Sequence, residues 1–453
     1  MPEPLHLGLA MEDTIAAIST PFGEGAIALL RLSGLRAAEI AAAIFRGKKP
    51  VAEMLPRRQY FGGLHDAERK LDDVLLTLHR APASYTGEDV VEIACHGGIL
   101  VTRRILDLLL RHGARSAEPG EFTKRAFMNG KMDLTQAEAV MDLISAQTDL
   151  ALRAASEQLE GRLGRRIQVL REHLLALLAH VEAYIDFPDE DIDPDTGDAL
   201  LQRLNSVRSE IDALLDTAAR GRILREGLRV VIYGAPNVGK SSLLNLLLGY
   251  ERAIVSATPG TTRDSIEEVI NLRGIPVRLI DTAGVRAAED AIEREGIERT
   301  LRQMERADLV LHLEDASQPR KIDTLPVNRP MLLVLNKSDL GEAPAWTGVE
   351  AVRISCHQES GLAALEEAVA ARALGGQTAQ RDWSVAINAR HQECLRRARG
   401  FAQAAHTALL DKLSPEFVAE ELRAALEAVG EVAGRVDVED LLGQIFASFC
   451  IGK

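Results

Sequence analysis

Apolar and polar positions change rhythm several times along this chain, and each change marks a different kind of element. Short apolar runs at Thr14–Ser19, Ala26–Leu32, Val74–His79 and Val90–Ala94 are bounded by turn residues such as Gly23-Glu-Gly25 and the polar stretch Ser84–Asp89. Such runs predict strands. Apolar residues recur at helical spacing over Ile99–Arg111, which predicts a helix. Residues 1–130 therefore read as an α+β domain. From Asp133 the rhythm turns helical, with Leu134, Ala137, Val140, Met141 and Ile144 on one face. A long aliphatic helix follows over Leu150–Tyr184. It is broken at Ile185–Pro194 by two prolines and repeated acids, and another helix runs over Thr196–Gly221.

This helical block, 131–222, gives way to alternating strands and helices over 223–380, as a parallel sheet requires. Gly375–Ala379 has the composition of a linker. Helical patterning then returns over 381–453: Ala389–Leu413 is one helix, Ser414 caps another that opens at Pro415 and runs toward Val429, and a last one starts at Val438. By pattern alone the terminal Phe449-Cys-Ile-Gly-Lys453 is a frayed tail. The alternating segment is thus inserted into a helical domain, and the fold class is multidomain α/β.

Composition narrows the function classes. The chain has 453 residues and is 46% apolar but only 4% aromatic, so its cores are largely aliphatic. No run of about eighteen apolar residues is present, so no membrane span is expected. Met1–Asp13 lacks a basic start and an apolar core, so no export signal is expected. The four cysteines, Cys95, Cys356, Cys394 and Cys450, form no Cys-x-x-Cys pair. That argues against zinc and a disulfide framework and fits a reducing cytoplasm. A net charge of −14 disfavours indiscriminate nucleic-acid binding and leaves room for local basic clusters.

The chemistry concentrates in the inserted segment. Gly234-Ala-Pro-Asn237-Val238-Gly239-Lys240-Ser241 lies between the apolar run Leu228–Tyr233 and a helix that begins at Ser242. Strand, glycine loop and helix make this a phosphate-binding loop. Glycines let the backbone wrap a polyphosphate, amide N–H groups and the helix dipole face the charge, Lys240 reaches the outer phosphates and Ser241 holds magnesium. Three further signals follow in order. Gly260-Thr261-Thr262-Arg-Asp264 sits in a loop where Thr262 is the candidate to close over the γ-phosphate and complete the magnesium shell. Asp281-Thr282-Ala283-Gly284 ends the strand Val277–Ile280, with Asp281 reaching magnesium through water and the Gly284 N–H sensing the γ-phosphate. Asn336-Lys337-Ser338-Asp339 ends the strand Met331–Leu335. A carboxylate there accepts both N–H donors of a guanine edge, so Asp339 is the guanine selector, and Ser355-Cys356-His357 fits the last base-contact loop.

Val285 stands where Ras-like switches carry a water-positioning glutamine. Hydrolysis must then either be slow or use another group to orient water, and by type Glu289, Glu293, Glu295 and Glu298 all qualify. In the first 130 residues Arg31 ends an apolar strand and Glu92 lies inside one, ahead of His96-Gly-Gly98. Pattern alone puts Glu92 on a solvated face; its functional reading is a pocket where Glu92 accepts from ring N–H groups.

Ser84-Tyr-Thr-Gly-Glu-Asp89, His96-Gly-Gly98, Pro119-Gly-Glu-Phe122, Arg125-Ala-Phe127, Asp133-Leu-Thr-Gln-Ala-Glu138, Gly260–Asp264 and the terminal Cys450-Ile-Gly-Lys453 carry a more specific signal. With them the chain resembles the bacterial tRNA modification GTPases of the MnmE (TrmE) family over essentially its full length. The resemblance implies an N-terminal folate-binding domain that dimerises, a discontinuous helical domain and an inserted Ras-like G domain. It implies potassium ligands at Asn237, Ser256, Thr258 and Thr261, in a loop that departs from the commoner sequence at Ala257 and Pro259. The water-orienting glutamate falls on Glu293. Arg31, Glu92, Lys131 and Lys453 become contacts for a one-carbon tetrahydrofolate, which reverses the solvated reading of Glu92 and the frayed reading of the tail. The implied partners are tRNA and a flavoprotein of the MnmG type, which carries FAD and forms a heterotetramer with the homodimer. The implied reaction is at C5 of the wobble uridine. The nucleotide motifs on their own also fit a regulatory GTPase that binds RNA in ribosome assembly.

Overall fold

The computed structural model describes residues 13–186, 198–250, 268–280, 304–319, 329–373, 386–434, 439–447 and 449–452. The chain forms two compact units, one of residues 1–141 with 433–453 and one of residues 142–432.

The first unit is built on a seven-stranded sheet of β1 (Ile15–Ile18), β2 (Ile27–Ser33), β3 (Phe45–Gly47), β4 (Gln59–Asp66), β5 (Arg69–His79), β6 (Val90–His96) and β7 (Arg115–Ser116). Its order is β3-β4-β5-β6-β2-β1-β7, and all pairs are antiparallel except β1 with β7. Alternation sorts the side chains. Ala28, Leu30 and Leu32 of β2 and Val91, Ile93 and Cys95 of β6 face a core that also holds Ile40 and Ile44 of helix α1 (Ala37–Ile44) and Ile105, Leu108 and Leu109 of α2 (Ile99–Arg111). Arg31 and Glu92 are register partners on the opposite face. β4 escapes sequence reading because Gly62-Gly63 interrupts its apolar pattern.

Helix α3 (Glu121–Met128) closes a smaller cluster, Phe122 against Ile15, Ala17 and Ala117. The tail is packed rather than frayed. Ile451 bridges Pro119, Ser19 Oγ donates to the Gly452 carbonyl at 3.2 Å, and Phe446 and Phe449 lie against Gly120. Lys453 lies outside the described residues.

In the second unit the expected long helix is two, α5 (Asp149–Leu159) and α6 (Arg162–Asp186), parted at Gly161, whose φ of +80° a helix cannot accommodate. The helix α4 (Leu134–Ser145) precedes them, and α7 (Asp198–Leu215) and α8 (Ala218–Glu226) follow. Strand β8 (Leu228–Tyr233), helix α9 (Lys240–Tyr250), and strands β9 (Glu268–Leu272), β10 (Ile275–Leu279), β11 (Leu309–Asp315), β12 (Met331–Asn336) and β13 (Val352–Arg353) come next, before α10 (Leu362–Ala373). The sheet order is β13-β12-β11-β8-β10-β9, parallel except for β9. Helix α11 (Ala389–Leu410) starts at a reciprocal Asn388–His391 cap, and α12 (Pro415–Val432) starts at the expected proline. α13 (Glu439–Ala447) belongs to the first unit.

Chain entry to and exit from the inserted sheet meet at one place. A Cβ on Gly221 of α8 would sit 2.5 Å from the Ile387 carbonyl. Arg225 donates to that same carbonyl at 2.7 Å, and Arg222 forks onto Asp308 at 2.8 and 3.3 Å.

An ionic network centred on buried Arg125 and Glu121 braces the first unit. Arg125, 1% exposed, donates to Asp13, Glu121 and Glu88 at 2.7, 3.0 and 3.2 Å, and Arg115 also binds Asp13 and Glu121. Burial alone would raise the Asp13 and Glu121 carboxyls. Hydrogen bonds and charge from Arg115 and Arg125 outweigh it and hold both below the usual carboxylate range. Their contribution is therefore in place above the unfolded-state value of about 4 and is lost as pH falls through the lowered native values. Arg125→Met should destabilise this unit by about 3–5 kcal/mol at about pH 7, since it removes the buried charge facing the buried Glu121 and the partly buried Glu88, and by much less at about pH 3, where the carboxylates protonate. Calorimetric unfolding checks this; equal losses at both pH values would refute it.

Candidate nucleotide-binding site

Every described nucleotide motif lies at the carboxyl edge of the parallel strands, where this sheet type binds ligands. The phosphate loop joins β8 to α9. Two glycines are required sterically: a Cβ on Gly234 would come 2.2 Å from the Leu313 carbonyl, and one on Gly239, at φ +101°, would come 2.2 Å from Asn336 Nδ2. Asn237 takes a left-handed φ of 64°, and Val238 is buried, anchoring the loop to the sheet core. Ser241 and Ser242 are exposed in the first turn of α9. Lys240 curls over its own loop, Nζ donating to the Gly234 and Ala235 carbonyls at 2.8 Å each. Burial holds its pKa below the ordinary lysine value.

The base side is tied to the phosphate side by one side chain. Asn336, 2% exposed, donates from Nδ2 to the Val238 carbonyl at 2.8 Å and accepts from the Cys356 N–H at 3.1 Å. The bracing role expected of it is therefore a pair of specific bonds. Lys337 has a left-handed φ of 61°, and Ser338–Leu340 forms one 3₁₀ turn. Asp339 is exposed and accepts from Ser355 Oγ at 2.5 Å. Ser355 is itself buried and braces the Gln358 N–H. Burial pushes the Cys356 thiol up to about 11, so it is not a thiolate, and His357 is exposed. The structure thus brings together Asn237, Val238, Gly239, Lys240, Ser241, Ser242, Asn336, Lys337, Ser338, Asp339, Ser355, Cys356 and His357. Ser256, Ala257, Thr258, Pro259, Gly260, Thr261, Thr262, Asp281, Thr282, Ala283, Gly284 and Glu293 lie outside the described residues. Sequence reading missed the loop after β11, Asp315–Gln318, although its signal was of the same kind: Asp315 ends an apolar strand.

In the first unit the described residues expected to contact folate, Arg31, Glu92 and Lys131, lie near the 82–89 loop. Arg31 donates to Glu92 Oε1 from Nε and Nη2 at 3.1 and 2.7 Å, and its guanidinium lies 5.4 Å from the Tyr85 ring and 5.8 Å from the Phe122 ring. Tyr85 is fixed by Thr123 at 2.9 Å. Lys131 reaches the same loop, Nζ donating to the Pro82 carbonyl at 2.9 Å. His79 Nε2 is buried without a hydrogen-bond partner, 3.6 Å from Glu92 Oε2. An orphaned ring nitrogen beside a half-used carboxylate and two aromatic rings fits a polar ring ligand.

Two family models match the chain. The model described as GTP-binding protein TrmE N-terminus matches residues 14–131, and the MnmE helical domain model matches residues 134–450. The tRNA modification GTPase MnmE of Akkermansia muciniphila is 54% identical over 451 residues, covering 98% of this chain and 99% of that protein. Those of Alkaliphilus metalliredigens and Aquifex aeolicus are 45% and 44% identical, each covering 98% of this chain and all of the relative. The chain belongs to the MnmE (TrmE) family of tRNA modification GTPases. Among solved structures, the G domain of the T. maritima FeoB iron transporter aligns over 32% of this chain and 98% of its own length at 26% identity, with a TM-score of 0.25 that gives the likeness no weight.

Membership of the MnmE family makes GTP the nucleotide, for which Asp339 is the expected selector. Asp339→Asn replaces one acceptor oxygen by an amide donor and should cut the preference for GTP over ATP by about 10–100-fold. Competition binding with both nucleotides measures it, and unchanged selectivity would remove Asp339 as selector.

Proposed function

We propose that this protein is a potassium-activated GTP hydrolase that works with a flavoprotein of the MnmG type to modify C5 of the wobble uridine in tRNA. As a member of the tRNA modification GTPase family it is a GTP hydrolase, and the observation that carries the reading is the Asn336-linked pairing of a phosphate loop with a guanine-selecting carboxylate. In this reading the amides of 237–242 and the α9 N-terminus receive the β- and γ-phosphates. Lys240 exchanges its two carbonyl partners for phosphate oxygens. Asp339 and the Ser355–His357 loop receive the guanine.

Hydroxyls and carboxylates are the hard oxygen donors magnesium takes, and Ser241, Thr262 and, through water, Asp281 would hold it. Magnesium when bound neutralises charge on the phosphates. Asn237, Ser256, Thr258 and Thr261 would hold potassium, whose charge substitutes for an arginine finger. Glu293 orients the attacking water, the task Val285 cannot do.

The first unit supplies the carbon. Glu92 and His79 receive the polar edge of a reduced folate, Tyr85 and Phe122 flank it, and Arg31, Lys131 and Lys453 complete the pocket. The bound folate supplies a one-carbon unit. We assign 1–130 as the folate-binding and dimerising domain, 131–222 and 381–453 as the helical domain, and 223–380 as the G domain. The protein works as a cytoplasmic homodimer that joins its flavoprotein partner in a heterotetramer, the partner carrying FAD. No helix among the described residues is long and apolar enough to cross a membrane.

GTP turnover should be at least about tenfold faster in potassium than in sodium buffer; equal rates would defeat the potassium assignment. Glu293→Ala should keep nucleotide affinity within about twofold and reduce turnover about a hundredfold or more; persistent turnover would move the water to another group. Titration calorimetry with a reduced folate should give saturable binding that Glu92→Ala weakens at least about tenfold. No heat at high ligand concentration would exclude the folate reading.

A further inference from the structure

The 82–89 loop is gripped at its exposed start, Pro82 and Ala83, by cations that no acid neutralises. Arg57 Nη2 donates to the Ala83 carbonyl at 3.1 Å, and Lys131 Nζ donates to the adjoining Pro82 carbonyl at 2.9 Å. The Lys131 stem passes Gly87 of the same loop, where an added Cβ would lie 3.4 Å from its Cγ and Cδ. Arg58 is exposed next to Arg57. The loop's own acids are committed elsewhere. Asp89 accepts from Arg80 at 2.5 Å and from the Ala81 N–H at 3.0 Å, while Glu88 accepts from Ser33 and Arg125. Among the described residues, Arg57, Arg58 and Lys131 thus form no ion pair.

Arg57 also has a left-handed φ of +62°, which a residue with a Cβ adopts at a cost. Its N–H donates to the Leu78 carbonyl at 2.8 Å, so the chain ahead of β4 is pinned to the end of β5 and the guanidinium is delivered to the loop. Strain of this kind concentrates at ligand-binding positions. A neutral carbonyl leaves the charge of its cation whole. Two like charges on consecutive carbonyls, with a third beside them, repel one another, and an anion relieves that repulsion.

We propose that Arg57 and Arg58 form a subsite for the polyglutamyl tail of a reduced folate, beyond the ring pocket of Arg31, Glu92 and Tyr85. The inference deepens the folate reading and rests on it. Each glutamate added to a folate adds one carboxylate. Tyr85 is two residues from Ala83, so a short stretch of one loop leads from the ring pocket to the cations. Lys131 meets the first glutamate, and the arginines meet the later ones with planar forks that match a carboxylate. Once the ring is seated, each further carboxylate arrives at high effective concentration. A chain of net charge −14 repels a polyanion in bulk, so only a local cationic rim lets such a tail lie on it.

The test is titration calorimetry of the full-length protein with 5-formyltetrahydrofolate carrying one or three glutamates. The triglutamate should bind about tenfold tighter at about 50 mM salt, and about 500 mM salt should cut that advantage to about twofold. Arg57→Gln combined with Arg58→Gln should abolish the advantage and keep monoglutamate affinity within about twofold. Arg103→Gln, which removes an exposed arginine from α2, should change neither affinity, separating a local subsite from net charge. Should the double variant fail to fold, Arg58→Gln alone should cut the advantage about threefold, and the salt series needs no variant. No heat with either ligand would overturn the folate reading and this inference with it. Monoglutamate binding without a tail-length preference overturns the inference alone. So does a preference that persists in the double variant, and loss of tRNA affinity in that variant would then reassign the arginines to RNA phosphates.

Discussion

Two hydrogen bonds from one buried carboxamide hold the nucleotide site together. Asn336 fastens the phosphate loop at Val238 to the base loop at Cys356, and it is 2% exposed. These loops belong to strands that are not neighbours in sequence, and the sheet sets their separation only coarsely. A carboxamide, with a donor on one arm and an acceptor on the other, is the smallest group that can fix it. Buried in a low dielectric, neither bond has water as an alternative partner, so the spacing between phosphate and base recognition is built in rather than found on binding. Gly239 is small for the same reason: the carboxamide occupies the space a Cβ would need.

The first unit solves a different problem. Its sheet places a charged pair, Arg31 and Glu92, on an open face, and a charged pair alone would simply be solvated. Tyr85 and Phe122 flank Arg31 because the 82–89 loop and α3 are held beside it, and they are held by ions: Arg125 ties Glu88 of that loop to Glu121 of α3 and to Asp13 ahead of β1. Ser33 adds a bond to Glu88 at 2.6 Å. Burying these charges costs solvation, and what the fold gains is a specified geometry around the open face.

How much of this was readable in advance depends on whether local pattern or long-range contact decides. The strand–loop–helix at 228–248 declares itself because its apolar run, glycines and helix start are adjacent in sequence, and the strand ends at Asn336 and Ser355 were equally plain. The split of the expected Leu150–Tyr184 helix turned on one glycine that periodicity outweighed. β4 was lost to a Gly-Gly pair that breaks alternation but serves close packing, since a Cβ on Gly62 would strike Phe45 at 2.4 Å. Glu92 could not be told from a solvated strand residue, because what marks it, a partnerless His79 nitrogen and Tyr85, comes from other parts of the chain. The tail looked frayed for the same reason: its partners Ser19 and Pro119 are more than three hundred residues away.

Gly221, Arg225 and Ile387 hold the start and the finish of the inserted sheet against each other. A detour whose two ends touch leaves its host uninterrupted: the helices before Gly221 and after Ile387 meet as they would if the roughly 160 intervening residues were absent. The bundle therefore does not depend on the sheet to bring its halves together. A catalytic module could be grafted or exchanged at this seam with the flanking scaffold kept intact.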